Sequence, residues 1–235
     1  MYHDSITQWN VCVGCRFDCI YCEKSFKAQM KRQLHNCKQC YNFVPHFHEK
    51  RLTTNLPPTK GDEFIWACSS SDIYFAKHEW RNAIIERMRA LLNLSFLLQS
   101  KAPKVFFLHD FPVNVMLGIT LETNSDTNYN SISKAPWPSI RFQQFADLDV
   151  PNDKILIIEP ILIFDIDIFV AWVKEIRPAR IYIGYDTKNC HLKEPTLRET
   201  LALIKELKKV TTVKRKFIRE AWYVKPNMKP LNKYF

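Results

Sequence analysis

The chain has 235 residues, of which 46% are apolar and 25% charged, a composition that supports a full hydrophobic core and excludes disorder as the main description. No apolar run reaches the roughly 18 residues that a membrane span needs, and the strongest, 155–164, is interrupted by Glu159 and Pro160. The formal charge of +10 is unevenly placed: from Lys205 onward ten Lys or Arg face two Glu, so most of the excess is a basic C-terminal region of the kind that attracts polyanions.

In chain order the periodicity predicts a strand over 6–13, a helix over 23–34 and a long turn-rich loop over 36–62 containing Pro45, Pro57 and Pro58. A strand over 63–68 leads to a helix over 77–92, where Trp80, Ile84, Ile85, Met88 and Leu92 recur at helical spacing as a core stripe. Strands follow over 94–99 and 115–121 with a short irregular helix between them at 103–109, and then a second long loop over 122–138. A helix over 138–146, a strand over 154–159, a helix over 165–176, a strand over 180–185 and a helix over 195–209 complete the series. Six strands alternating with helices predict an α/β domain over 1–210 with a parallel sheet, either open or a partial barrel, and 211–235 as a basic aromatic extension. Only four glycines occur and neither GxGxxG nor GxxxxGK[ST] is present, which excludes a dinucleotide fingerprint and a P-loop. The N-terminal MYHDSITQWN has no charged segment followed by an apolar one, so the expectation is a cytoplasmic protein with no membrane partner.

In parallel α/β folds ligand groups collect at the carboxyl ends of the strands. Ser69, Ser70, Ser71 and Asp72 fall there after the second strand, Gln99, Ser100 and Lys101 after the third, Glu122, Thr123 and Asn124 after the fourth, Glu159 at the fifth and Asp186 at the sixth. Turn and cap chemistry explains such residues equally well.

Eight cysteines are present and six lie between Cys12 and Cys40, in a chain large enough to fold without disulfide staples, so the cluster points to metal. Cys15, Cys19 and Cys22 form CxxxCxxC directly after the first strand, and three thiolates on one loop can hold three irons of a 4Fe–4S cube while leaving the fourth open. The same region contains three CxxC pairs, Cys12 with Cys15, Cys19 with Cys22 and Cys37 with Cys40, so a zinc-binding protein that binds nucleic acid is the alternative. Only Arg16, Phe17 and Asp18 separate the first two pairs, which is short for two zinc knuckles, and Cys12 then reads as a packing thiol at the strand end. Cys37 and Cys40 form a candidate second site for zinc, with His35, His46 or His48 as further ligands.

The CxxxCxxC loop, with Tyr21 just before its last cysteine, resembles the radical S-adenosylmethionine (radical SAM) superfamily. It is most similar to phage-associated and prokaryotic members of unassigned substrate. Trp9, Asn10, Gly14 and Cys15 match their WN-x-x-x-GC start, followed by NCKQCYNFVPHFHEKRL at 36–52 and by ACSSSD, LGITLETN and ILIIEPIL, so that the likeness runs over 7–186. The resemblance implies a partial (β/α)6 barrel with the cluster loop after the first strand, and a 4Fe–4S cluster on Cys15, Cys19 and Cys22. It also implies an open iron that chelates S-adenosylmethionine (SAM). An external one-electron donor would then drive SAM cleavage to a 5′-deoxyadenosyl radical that abstracts hydrogen from substrate. The superfamily's Gly-Gly-Glu segment falls at 68–72, where Ser69, Ser70, Ser71 and Asp72 offer acceptors to the SAM amino group but the glycines are absent. Tyr21 joins the cofactor site, Glu122 is placed for ribose hydroxyls or the sulfonium, and Glu159 with Tyr185 and Asp186 for the adenine or substrate side. The substrate stays unnamed. Lys214, Arg215, Lys216 and Arg219 interleave with Phe217, Trp222 and Tyr223, which suits a nucleic acid or nucleotide, and equally suits a barrel-closing element with its aromatics inward.

Overall fold

The computed structural model describes residues 2–224. Among the described residues nine strands form: β1 Ser5–Trp9, β2 Cys12–Val13, β3 His46–Phe47, β4 Phe64–Ala67, β5 Phe96–Ser100, β6 Val115–Thr120, β7 Lys154–Ile158, β8 Arg180–Ile183 and β9 Thr212–Arg215. Seven of them pair in parallel in the order β1-β4-β5-β6-β7-β8-β9, so each strand neighbours the next one along the chain and the sheet curls into a half-barrel. The α/β partial-barrel expectation therefore holds, with one strand more than the six predicted.

Two differences from the predicted elements have local causes. The strand expected over 6–13 is two strands: β1 stays in the main sheet, while β2 leaves it to pair antiparallel with β3. The break falls at Asn10, whose side-chain oxygen accepts from Ser69 Oγ at 3.1 Å and from the Ser70 N–H at 2.9 Å, drawing the chain across the strand ends. The additional strand, β9, lies in the basic region expected to be an extension, and it pairs with β8 at the sheet edge. Its TVKR sequence is half exposed and carries charge, as edge strands commonly do, and so lacks the apolar signature of the others. The end of that region, 225–235, lies outside the described residues.

Alternation along the strands sorts side chains to two faces. Ile65, Ala67, Phe96, Leu98, Leu156, Ile158, Ile181 and Ile183 face the helices and form the main core. Tyr2, Phe64, Trp66, Leu97, Ile155, Ile157 and Tyr182 fill the concave face. The covering helices are α5 His78–Arg89, α6 Pro138–Ala146, α7 Ile166–Ile176 and α8 Leu197–Leu207, numbered after the short helices described next. Each lays an apolar stripe on the sheet: Ile84, Ile85 and Met88 in α5, Phe169, Val173 and Ile176 in α7, and Leu203, Ile204 and Leu207 in α8. A buried side chain of this kind contributes about 1.5–3 kcal/mol. Thr196 and Glu199 close a reciprocal capping box that fixes where α8 begins.

The segment predicted as a helix over 23–34 is helical from 20 to 33 but irregular: α1 Ile20–Cys22, a π turn Glu23–Lys27, α2 Ala28–Met30 and a 3-10 turn Lys31–Gln33. Two one-turn helices, α3 Lys38–Tyr41 and α4 Glu49–Leu52, flank β3. Among the described residues no helix is long and apolar enough to cross a membrane.

Candidate metal centre and cofactor pocket

At the carboxyl ends of the strands a cavity of about 620 Å³ opens, within the usual 300–1,000 Å³ range of small-ligand sites. Cys15, Cys19 and Cys22 all line it, together with Tyr21, Ser69, Ser70, Ser71, Asp72, Glu159 and Asp186. Gln99, Ser100, Lys101 and Lys216 complete the polar wall. The structure thus brings nearly all the sequence-predicted site residues to one cavity. Among the described residues no histidine and no fourth cysteine lines it.

The thiol loop is held from several directions. Gly14 N–H donates to Ser70 O at 2.9 Å, and Ser71 Oγ donates to Gly14 O at 2.8 Å, so the loop is stitched to the segment after β4. Phe17 packs edge-on against Phe75 and stacks on Tyr74. Cys19 Sγ lies 3.1 Å from Ser133 Oγ and 3.4 Å from Lys101 Nζ. A hydrogen bond from Cys22 and the charge of Lys101 pull the Cys19 thiol down to about 6 against the opposing cost of burial. Burial pushes Cys15 up, and the hydrogen bond to Cys19 together with burial pushes Cys22 up.

Asp72 is buried and accepts from Ser100 Oγ at 2.6 Å, from Lys101 N–H at 2.7 Å and from Tyr74 N–H at 3.0 Å. Burial raises its carboxyl to about 6 in spite of these donors. Before it in the chain, Cys68 adopts a positive φ of 54°, a conformation that glycine takes more easily, and the turn closes through Ser71 N–H to Cys68 O at 2.9 Å.

Glu122 is placed differently from the expectation. Its side chain is fully buried behind the wall, where it accepts from Tyr21, Lys101, Tyr129 at 3.1 Å and Arg141 at 2.9 Å. Burial alone would raise this carboxyl, but Arg141 and Lys101 hold it down at about 2. Its acceptor sites are occupied by the protein, so its visible work is to orient Lys101 and Tyr21, the latter also lying 4.6 Å beneath the Lys101 ammonium. Glu159 lines the cavity and pairs with Lys216. Asp186 is engaged with its own loop, accepting from Lys188 N–H at 2.9 Å and Cys190 N–H at 2.6 Å.

Sequence patterning passed over Arg141 and Tyr129, and gave Lys101 no role. The available signal for Arg141 was an arginine in the apolar stripe of α6, with Pro138, Phe142 and Phe145. The three CxxC pairs do not assemble with one another. Cys12 turns inward to a hydrogen bond with Cys68, Cys19 and Cys22 face the cavity, and Cys37 and Cys40 lie with His46 and His48. His35 is not in that group.

The donor set fits an iron–sulfur cube bound on three sides: three thiols, one already inclined to ionise, on a wall with an adjacent cation and free cavity volume beyond them.

No family model and no curated protein matches the sequence. Solved structures do share the fold. SuiB of Streptococcus suis matches at a TM-score of 0.55 with 8% identity, over 91% of this chain and 49% of SuiB. SuiB bound to S-adenosylmethionine matches at 0.53 with 7% identity, over 90% of this chain and 47% of SuiB. A variant spore photoproduct lyase with bound AdoMet and dinucleoside spore photoproduct matches at 0.50 with 13% identity, over 86% of this chain and 61% of the lyase. The chain spans about half the length of SuiB.

Proposed function

We propose that this chain is a radical SAM enzyme that binds a 4Fe–4S cluster through Cys15, Cys19 and Cys22. The observation that carries the reading is that these three thiols, with no fourth cysteine or histidine among the described residues, line a cavity at the strand ends beside buried Asp72 and the Ser69–Ser71 hydroxyls. When bound and reduced, the cluster would supply the electron that splits SAM into methionine and a 5′-deoxyadenosyl radical, which takes a hydrogen atom from substrate. The fold shared with structures that contain SAM supports the same reading.

The protein's own groups then have definable roles. Ser69, Ser70, Ser71 and Asp72 supply acceptors for an ammonium, and Asn10 fixes the turn that presents them. Lys101, beside Cys19, favours the thiolate and places a cation where negative charge gathers. Glu122 keeps Lys101 charged and in place. Trp66 and Ile157 of the sheet and Phe26 of the π turn give the cavity an apolar wall. The reading requires an external one-electron donor. The substrate class that goes with it is a nucleic acid or nucleotide, supported by Arg215 and the exposed Phe217 and Trp222, while Lys214, Lys216 and Arg219 turn to Asp62, Glu159 and Glu194 within the chain.

The test is anaerobic reconstitution with iron and sulfide, followed by dithionite and SAM with detection of 5′-deoxyadenosine. About four irons per chain and nucleoside formation, both lost in Cys19→Ala, are expected. Stoichiometric zinc with no iron after reconstitution would overturn the reading in favour of the zinc alternative.

A further inference from the structure

A second set of metal-binding side chains lies outside the cavity. The donor atoms of Cys37, Cys40, His46 and His48 all fall within 4.8 Å of one another. His46 Nε2 is 3.4 Å from Cys37 Sγ, 3.3 Å from Cys40 Sγ and 2.8 Å from His48 Nε2, and Cys40 Sγ is 3.1 Å from His48 Nε2. Tetrahedral coordination with Zn–S about 2.3 Å and Zn–N about 2.0–2.1 Å places neighbouring donors roughly 3.3–3.8 Å apart, so the four converge on a volume suited to one small ion.

Two details mark these groups as oriented for that purpose. His46 Nδ1 lies 2.7 Å from Val44 O, where it donates its proton and leaves Nε2, the atom facing the thiols, with its lone pair free. Cys37 Sγ accepts the Cys40 N–H at 3.3 Å, which stabilises a thiolate at the start of α3. Two sulfurs and two imidazoles are a donor set of structural zinc sites, and four protein ligands leave no position for substrate.

We propose that Cys37, Cys40, His46 and His48 bind one Zn²⁺ as a closed structural site, and that this site fastens the strand leading into Cys15. The backbone connections supply the second half. His46 pairs with Val13 and Phe47 with Cys12 across β2 and β3, His48 N–H donates to Val11 O at 2.8 Å, and Arg51 Nη1 donates to Asn10 O at 2.9 Å. Gly14, at φ +96°, presses so closely on this segment that a Cβ there would lie 2.3 Å from the carbonyl carbon of Val44. Cys15 is the next residue. An ion that holds residues 37–48 in one geometry therefore also holds the approach to the first cavity thiol. The site does not depend on iron or SAM.

The experiment uses the full chain carrying Cys15→Ala, Cys19→Ala and Cys22→Ala, so that only the second set can take metal. One zinc per chain is expected to survive dialysis, and Co²⁺ in its place should give the strong visible absorption of a tetrahedral thiolate site. Adding Cys37→Ser or His48→Ala should weaken zinc binding by more than the about 10–100-fold that loss of a supporting hydrogen bond costs at metal sites. No stoichiometric zinc in this chain, iron in preference to zinc, or zinc retained after Cys37→Ser would overturn the site. If the triple variant does not fold, the same comparison is made on the reconstituted wild-type chain, where His48→Ala should remove one zinc, and unchanged zinc would overturn the proposal. The fastening role is read separately in the cluster-free wild-type chain: chelating the zinc should speed labelling of Cys15 by a thiol reagent, and an unchanged rate would refute it. Neither result bears on whether the cluster cysteines bind iron, so failure here and failure of the radical SAM reading are distinguishable.

Discussion

The two cysteine sets both lie between Cys15 and Cys40 in sequence but face opposite situations. Cys15, Cys19 and Cys22 look into open cavity volume, with Lys101 and a buried carboxylate network behind them. Cys37 and Cys40 lie with two histidines, the four donor atoms all within 4.8 Å of one another. Under the two proposed assignments the same residue type serves opposite ends: an incomplete set leaves coordination to an exogenous group, and a complete one builds structure. The segments that carry them meet where Gly14, just before Cys15, lies against Val44 and Pro45, just after Cys40.

Gly14→Ala should break that comparison most severely. Its Cβ would sit 2.3–2.5 Å from backbone atoms of Val44 and Pro45, which cannot move aside as a flexible side chain would, at a φ of +96°. Loss of metal from both sets is expected on elemental analysis. Gly61→Ala is the control: nothing lies within 4 Å of its Cβ and φ is +54°, so only the roughly 1–2 kcal/mol of a left-handed residue is at stake.

Arg141→Met should separate the sets. It removes one partner of Glu122 where both side chains are fully buried, a loss that typically costs about 3–5 kcal/mol and that urea unfolding would register. Zinc bound per folded chain should not change, because the closed set makes no contact with this network. Asn10→Ala acts more mildly, removing the acceptor of Ser69 and Ser70 for about 1–3 kcal/mol. It should weaken SAM binding in isothermal titration more than it lowers the iron content.

The smallest effect is one of pH. In the cluster-free chain Cys19 is held at about 6, whereas burial raises Cys15 and the hydrogen bond to Cys19 together with burial raises Cys22, and the thiolate is the reactive form. Alkylation of Cys19 should rise with a midpoint near pH 6 and level off, while Cys15 and Cys22 respond only at higher pH. Three equal midpoints at ordinary thiol values would contradict the role given to Lys101 and Cys22.

Much of this was legible before the structure. Repeated β/α alternation specified the sheet, because strands buried on both faces read as continuous apolar runs, and the strand-end rule placed Ser69–Asp72 and Glu159 on the cavity. Four things were not. Strand β9 is a polar edge that pairs through its backbone, and backbone pairing leaves little trace in side-chain pattern. The splitting of the first strand depends on Asn10 reaching residues 69 and 70, a long-range contact that no local periodicity encodes. Glu122 was placed at the correct strand end, but its pairing with Arg141 crosses from the sheet to α6 and changes it from a free acceptor into part of the supporting wall. The choice of His46 and His48 over His35 likewise rests on β2 pairing with β3.

The most direct test of the central claim is electron paramagnetic resonance of the reduced, reconstituted chain with SAM labelled at its amino nitrogen and carboxylate oxygen. Hyperfine coupling of the label to the cluster, absent in Cys19→Ala, is the result predicted by an open iron on the three-thiol set. A cluster signal that SAM leaves unchanged, with no coupling to either label, would contradict it.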